Sequence, residues 1–484
     1  MRAFNRFILF LFLISGICLQ ANAQVTNTLY FMEGVPQSNR INPARQPACG
    51  FYFGIPTLSP LNTVFTSSSL SWDDIIYPHP TEDSLITFLH PQGDKEAFIK
   101  NLKPVNFVIS EVGTGLFSMG FRTSVGFFSV DVASRVDGSI YFPGDLMKLV
   151  LEGADEGRDY NMNGFGADIS GFEEIALGWS GALGNNLHIG ARAKLLFGIG
   201  NLTTTSSDFS LNTSEALWQI RSNMELKASL PFAEIRYDED GMIEEIIIEE
   251  DIRDLDPGAI ARMAFNKGNF GLGFDLGVDY RPSDRWLLSA SVLDLGYIRW
   301  KDEIHELSYN RDYDYDGTEV DPFEFSDDNT FSDFIDSTFS AIADTLLDAL
   351  EIGPGEKYSR RLNTKIYLGA SWYATPGISF GILSRTDFLK ETIVEQVTAS
   401  ANFRAGQMLN FSLSYSYMNS YFKNFGSGVS LKFGPLNVYA ISDNVLNMLL
   451  WPQESRSANL WFGMNLIFGY KQFSAKANDR PLIY

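Results

Sequence analysis

Three carboxylates stand at alternate positions in Asp312-Tyr313-Asp314-Tyr315-Asp316-Gly317. Hard oxygen donors at i, i+2 and i+4, closed by a glycine that permits a turn, suit a calcium ion. A complete EF-hand loop would need Glu at its twelfth position, where this chain has Phe323. Asp159-x-Asn161-x-Asn163-Gly164 repeats the spacing with weaker donors. The competing reading of both is a solvated acidic hairpin loop. No P-loop or H-E-x-x-H helix is present and no nucleophile constellation is visible, so no catalytic residue is assigned and the chain is expected not to be an enzyme. Four histidines leave little room for a multi-His metal centre. Beyond the candidate calcium at Asp312, Asp314 and Asp316, no cofactor is expected.

A second set of chemistry-bearing residues is defined by parity. Arg192, Lys194, Asp275, Asp279, Arg385 and Lys432 all fall on the non-apolar face of alternating segments, and His188 joins them. Such charges either pair with one another, or with a plug, or form an eyelet that contacts a substrate. No acid partner can be assigned to His188 from spacing.

The elements that carry these residues must be strands. Phe270, Leu272, Phe274, Leu276, Val278 and Tyr280 share one face, opposite Gly271, Gly273, Asp275, Gly277 and Asp279. Leu187 to Ile199, Phe411 to Tyr417, Val429 to Phe433 and Leu460 to Tyr470 alternate in the same way. Period two is the signature of a strand. These runs reach the ~9–11 residues that a tilted strand needs to cross a bilayer. Their second face, rich in Gly and Ser with scattered charges, suits a barrel lumen, and the aromatic ends suit interfacial girdles. Trp461 breaks the rule, since its parity points it inward. Turn signals at Gly184-Asn185-Asn186, Pro282-Ser283-Asp284, Thr375-Pro376-Gly377 and Ala405-Gly406 separate the strands. About fourteen strands fit between Asn106 and Gln472. The fold class is therefore all-β, a transmembrane antiparallel β-barrel, closed because open edges cannot face lipid. A large soluble sandwich or lipocalin-like barrel gives the same alternation.

The compartment is set by the first 23 residues. Arg2 and Arg6 precede an apolar run from Phe7 to Ile14, and Ala21-Asn22-Ala23 offers a small-residue cleavage site. This pattern predicts a secretory signal peptide rather than an anchor. Cleavage would leave Cys49 as the one remaining cysteine. No later run of 18 apolar residues appears, which excludes a helical membrane protein. The net charge of −22 argues against a nucleic-acid partner.

Between these parts lie three irregular stretches. Residues 24–104 are turn-rich and are expected to form a plug in the lumen or a periplasmic segment beneath it, with the barrel running over 105–484. Pro143-Gly144-Asp145 should start a short helix through about Leu151, with Asp145 favouring its first turn. Long loops are expected at 234–256 and 301–360, the second containing an amphipathic helix from Phe331 to Leu350.

The segments Gly34-Val35-Pro36-Gln37-Ser38-Asn39-Arg40-Ile41-Asn42-Pro43-Ala44 and Gly50-Phe51-Tyr52-Phe53-Gly54-Ile55-Pro56, with Ser291-Val292-Leu293-Asp294-Leu295-Gly296 and Ser442-Asp443-Asn444-Val445-Leu446, resemble a Bacteroidota-type outer-membrane family of unknown function. Asn42-Pro43-Ala44 is also similar to the Asn-Pro-Ala box of FadL-like barrels. That group includes long-chain fatty acid transporters and barrel components of the type IX secretion machinery. The resemblance implies a fourteen-stranded barrel with an N-terminal hatch, in the outer membrane of a Gram-negative cell, in contact with its lipid. Two functions follow as expectations. One is passage of small hydrophobic or amphipathic molecules. The other is an accessory or scaffold role with other envelope proteins, in secretion or assembly machinery.

Overall fold

The computed structural model describes residues 27–469, with breaks at 153–156, 214–217, 238–242, most of 249–263, 316–350 and a few single positions. The signal segment and the Phe331–Leu350 helix lie outside the described residues.

Fourteen strands form one closed antiparallel wall. They are β1 (Phe51–Gly54, resumed at Leu61–Ser67), β2 (Val105–Thr123), β3 (Gly126–Pro143), β4 (Gly166–Leu183), β5 (Leu187–Thr213), β6 (Phe270–Ser283) and β7 (Trp286–Trp300). They continue with β8 (Thr364–Thr375), β9 (Ile378–Phe388), β10 (Ile393–Ala405), β11 (Leu409–Met418), β12 (Tyr421–Phe433), β13 (Leu436–Ser442) and β14 (Ser457–Phe468). Each pairs with the next in sequence. Closure comes from β1, which pairs with β14 on one side and β2 on the other.

Alternation aims the side chains as expected. Phe274 and Leu276 on β6 and Leu368 on β8 are each more than half exposed outward, while Asp275 is fully buried inside. The outer surface is thus an apolar band built to face lipid. Trp461 does point inward and is buried. The expected count of fourteen holds, but one of the fourteen precedes residue 105.

That changes the reading of 24–104, which is three things rather than one. Residues 27–50 enter the lumen. Residues 51–67 are wall, interrupted by an excursion at Ile55–Pro60 in which Thr57 takes a positive φ of 61°. The prolines at 56 and 60 hid this strand, because proline cannot donate to a ladder and lies where the pairing breaks. Residues 68–104 form a cap at the far end. There Leu70, Phe88 and Phe98 cluster with Phe142, Met147 and Leu151. The cap contains helix α1 (Lys95–Asn101), whose Asp94 side chain accepts the Ala97 N–H at 2.9 Å. Helix α2 spans Gly144–Glu152, with Asp145 in its first turn as expected.

The two ends of the barrel differ. One end carries the short turns, such as 184–186 and 434–435. The other carries the long connections, and there β5 continues to 27 residues. Its upper part pairs with a rim strand, Trp218–Ser229, which pairs in turn with Ile304–Tyr315. The wall has one short member. Strand β13 has seven residues against thirteen in β12. Above it helix α3 (Val445–Leu450) fills the gap, with Leu446, Leu449 and Leu450 exposed. Backbone groups facing lipid must be satisfied within the protein. Accordingly Asn444 Nδ2 donates to the Ser457 carbonyl at 2.7 Å, and Ser457 Oγ donates to Asn424 Oδ1 at 3.3 Å.

Candidate functional site: the plugged lumen

A fourteen-stranded wall encloses more space than its own side chains can fill. Residues 27–50 occupy it. The segment starts beside β10–β13 and descends to the short-turn end at Glu33. It then crosses to β14, β3 and β6, and leaves through Gly50 into β1. Two 3₁₀ turns, Thr28–Phe31 and Pro36–Arg40, give it its shape.

Its apolar side chains pack into one cluster with the wall. Leu29, Tyr30, Phe31, Met32, Val35 and Ile41 meet Leu293, Tyr367, Leu383, Tyr439, Ile441 and Trp461. Tyr30 stacks on Tyr367 with ring centroids 5.8 Å apart and donates its hydroxyl to Ser289 Oγ at 2.7 Å. Burial pushes the Tyr30 phenol up to about 12, so it stays a neutral donor. Leu293 reaches this cluster because of a bulge, in which Leu293 and Asp294 together oppose Asp275, turning both inward.

Polar contacts fix the plug around its edge. The Asn27 and Thr28 backbone N–H groups donate to the Asp443 carboxylate at 2.6 and 2.9 Å, and the Thr28 hydroxyl donates to it as well. Glu33 accepts from Arg404 at 2.7 Å and from Tyr373. Gln37 and Asn465 exchange amide hydrogen bonds at 2.7 and 3.0 Å. Arg40 meets Asp131 at 2.8 Å. The Asn42-Pro43-Ala44 box is seated against the junction of β5 and β6. There Asn42 Nδ2 donates to Asp279 at 2.7 Å, while Asn42 Oδ1 accepts the Ala44 N–H at 3.0 Å. Gly190 and Gly277, partners across that junction, leave room for it. A Cβ on Gly190 would stand 2.1 Å from the Pro43 carbonyl oxygen. Cys49 is fully buried where the plug leaves the lumen, and burial pushes its thiol up to about 12.

Five of the six inward-parity charges belong to this construction. Arg192 meets Asp131 at 2.9 Å and Asp275 at 3.7 Å, and Lys194 meets Asp275 at 2.7 Å and Asp294 at 2.6 Å. Asp279 holds the plug. Arg385 pairs with Asp387 at 2.6 Å. Lys432 is half-buried near the short-turn rim. The network also enlists residues not singled out in the sequence. Arg135 binds Glu174 and Asp294, both at 3.0 Å, and Asp137 at 3.0 Å, while Lys365 binds Glu111 at 2.9 Å. Inward parity on their strands was the signal that could have found them. Together they make a layer of alternating charge, packed above the crossing part of the plug. His188 is buried with Arg122 and Arg281 as charged neighbours and lies opposite Asp279 in register; among the described residues no carboxylate is hydrogen-bonded to it.

The calcium candidates are differently placed. Asp312 and Asp314 fall on the rim strand Ile304–Tyr315, opposite Arg221 and Gln219, and Asp316 lies outside the described residues. At 159–164, Asn161 Oδ1 accepts the Asn163 N–H and Asn163 Oδ1 accepts the Phe209 N–H, so protein donors occupy those oxygens. Among the described residues no three metal-ligating side chains converge.

A family model described as "Family of unknown function (DUF5723)" matches residues 43–443. No curated protein matches the chain. Among solved structures, a Pseudomonas aeruginosa FadL homologue is similar at 11% identity and a TM-score of 0.40, over 93% of this chain and 99% of that one. The Ralstonia pickettii toluene transporter TbuX is similar at 8% identity and a TM-score of 0.40, over 93% and 95%. The Pseudomonas putida toluene transporter TodX is similar at 10% identity and a TM-score of 0.35, over 92% and 93%.

Proposed function

We propose that this chain, which belongs to the DUF5723 family of unknown function, is a non-enzymatic outer-membrane β-barrel that passes small hydrophobic or amphipathic molecules when its plug is displaced. One observation carries the reading. Beside the charge layer, and apart from smaller apolar clusters elsewhere inside the barrel, the plug covers an apolar cup of wall residues, Leu293, Tyr367, Leu383, Tyr439, Ile441 and Trp461. A wall that only had to be filled could have met the plug with polar groups throughout. Apolar side chains facing a lumen are costly when wetted, and here the plug keeps them dry until something apolar replaces it.

The test is to lock the plug. Thr28 Oγ1 and Ser414 Oγ are 2.6 Å apart, so a Thr28→Cys, Ser414→Cys pair can form a disulfide. In liposomes, influx of a fluorescent hydrophobic dye is expected to stop in the oxidised variant and to return on reduction. Equal influx in both states would sink the reading.

The accessory or scaffold role is a second reading, favoured by the rim strands that carry the sheet beyond the barrel at the long-loop end. Stoichiometric co-purification of other envelope proteins from detergent-solubilised membrane would favour it over a solitary transporter. Calcium at Asp312, Asp314 and Asp316 is a further proposal, supported by the alternation that puts Asp312 and Asp314 on one face of their strand. A melting temperature unmoved by millimolar calcium would remove it.

A further inference from the structure

Asp443 differs from the other lumen carboxylates. It is 4% exposed, yet among the described residues no Lys, Arg or His lies within ion-pair distance of it. Its oxygens are served by the plug instead, through two backbone N–H groups and the hydroxyl of Asn27 and Thr28. Next to these donors the chain places Leu29, Tyr30, Phe31 and Met32 in the apolar cup, whose Tyr439 and Ile441 lie on the same strand that leads to Asp443. The plug's first turn is therefore a hydrogen-bond-donating head followed by an apolar body.

When that turn leaves, Asp443 loses the three donors that serve it, and the positive charge that still acts on it, Arg385, is itself paired with Asp387. A carboxylate left so is strongly disfavoured unless donors or a cation replace those it lost. A carboxylate-headed amphiphile would set like charge against like. An alcohol would return one donor and no charge. A primary alkylammonium returns three N–H donors and brings a positive charge of its own, with its chain in the cup. The charge of the long-loop end favours the same class. Residues 234–256 hold eleven acids and two basic residues, and residues 301–360 hold seventeen and four. The net charge of these two segments equals that of the whole chain, and each lies in a connection between wall strands whose described ends are at the long-loop end. An acidic rim raises the local concentration of cations.

We propose that Asp443 and the apolar cup form a binding site for amphipathic primary amines, with residues 27–32 as the built-in competitor. This rests on the passage reading for its biological use, though the site itself can be tested without it.

The probe is octylamine, compared with octanol and octanoate, binding to the full mature chain in nanodiscs, with empty nanodiscs subtracted. Saturable binding is expected for octylamine, at least about tenfold tighter than for the other two. Asp443→Asn should abolish that preference. Should Asp443→Asn not fold, judged by heat-modifiable gel migration, Thr28→Val provides the second arm. It removes a competitor donor and should tighten octylamine binding several-fold. Equal affinity for the three heads, an unchanged preference in Asp443→Asn, or weaker octylamine binding in Thr28→Val would each overturn the proposal. Octylamine binding that persists in the disulfide-free protein while dye influx ignores the lock would retain the site and remove the passage reading.

Discussion

Asp131 shows how much one side chain ties together. It accepts from Arg40 of the plug at 2.8 Å, from Arg192 of the wall at 2.9 Å and from Ser118 at 2.7 Å, with 1% exposure. Replacing it with Asn leaves two buried guanidinium groups undercompensated. Breaking a buried pair in this way costs about 3–5 kcal/mol, so Asp131→Asn should lower the urea midpoint measurably. Gly190 acts sterically. Its missing Cβ makes room for the Pro43 backbone, which cannot yield as a flexible side chain would. Gly190→Ala should therefore loosen the plug without touching the wall's ladder. Cys49, buried at the plug's exit, reports on this. Maleimide labelling of the folded protein should be slow in the wild type and several-fold faster in Gly190→Ala, and equal rates would show that the box does not seat there. Parity gave away Arg192, Lys194, Asp275, Asp279 and Arg385 as inward residues, because a strand's period is two whatever surrounds it. It could not reveal that Asp275 binds Lys194 or that Asp279 binds Asn42. Pairing depends on register, and register is set by turns and bulges across the whole wall.

At the level of single elements, the long alternating strands were the legible part. Their termini fall where Gly, Asn and Pro interrupt the pattern, as at 184–186 and 375–377. Strand β1 was illegible for a physical reason. It is split by an excursion between Gly54 and Leu61, so neither half shows enough alternation to be read. Strand β13 was shortened in a way alternation does not forecast, since its upper half is replaced by α3 and by Asn and Ser side chains that cap the neighbouring edges. The lipid-facing assignment can be checked on β8, which is regular. Leu368 points outward and is 56% exposed. Leu368→Arg should destabilise the inserted barrel by about 2–4 kcal/mol if it lies near mid-membrane, read from the unfolding midpoint in liposomes. An unchanged midpoint would mean that this face meets water.

At the scale of the whole molecule, the lumen is occupied in depth. The plug crosses it, the charge layer lies above the crossing, and the cap of residues 68–104 packs on α2 beyond that. The wild type is accordingly expected to show no steady conductance in planar bilayers. Gly190→Ala should show discrete openings if the plug alone holds the seal. A permanently conducting wild type would contradict the packing described. The acidic segments 234–256 and 301–360 predict in addition that entry of cationic amphiphiles slows as ionic strength rises, because salt shortens the reach of that field.

The plug runs into β1 without a linker: the Gly50 N–H donates to Phe468 of β14, and the Gly50 carbonyl accepts from Arg122 of β2. The stretch that shuts the ring is thus the same stretch that hauls the cargo of residues 27–50 aboard. Pairing β1 between β14 and β2 therefore brings the plug in with the strand that closes the ring. Chains lacking residues 27–47 should stall as unzipped, protease-sensitive sheets rather than survive as leaky holes, so the connectivity itself acts as an inspection step. Compact, heat-modifiable rings from such truncated chains would show that zipping and loading are independent.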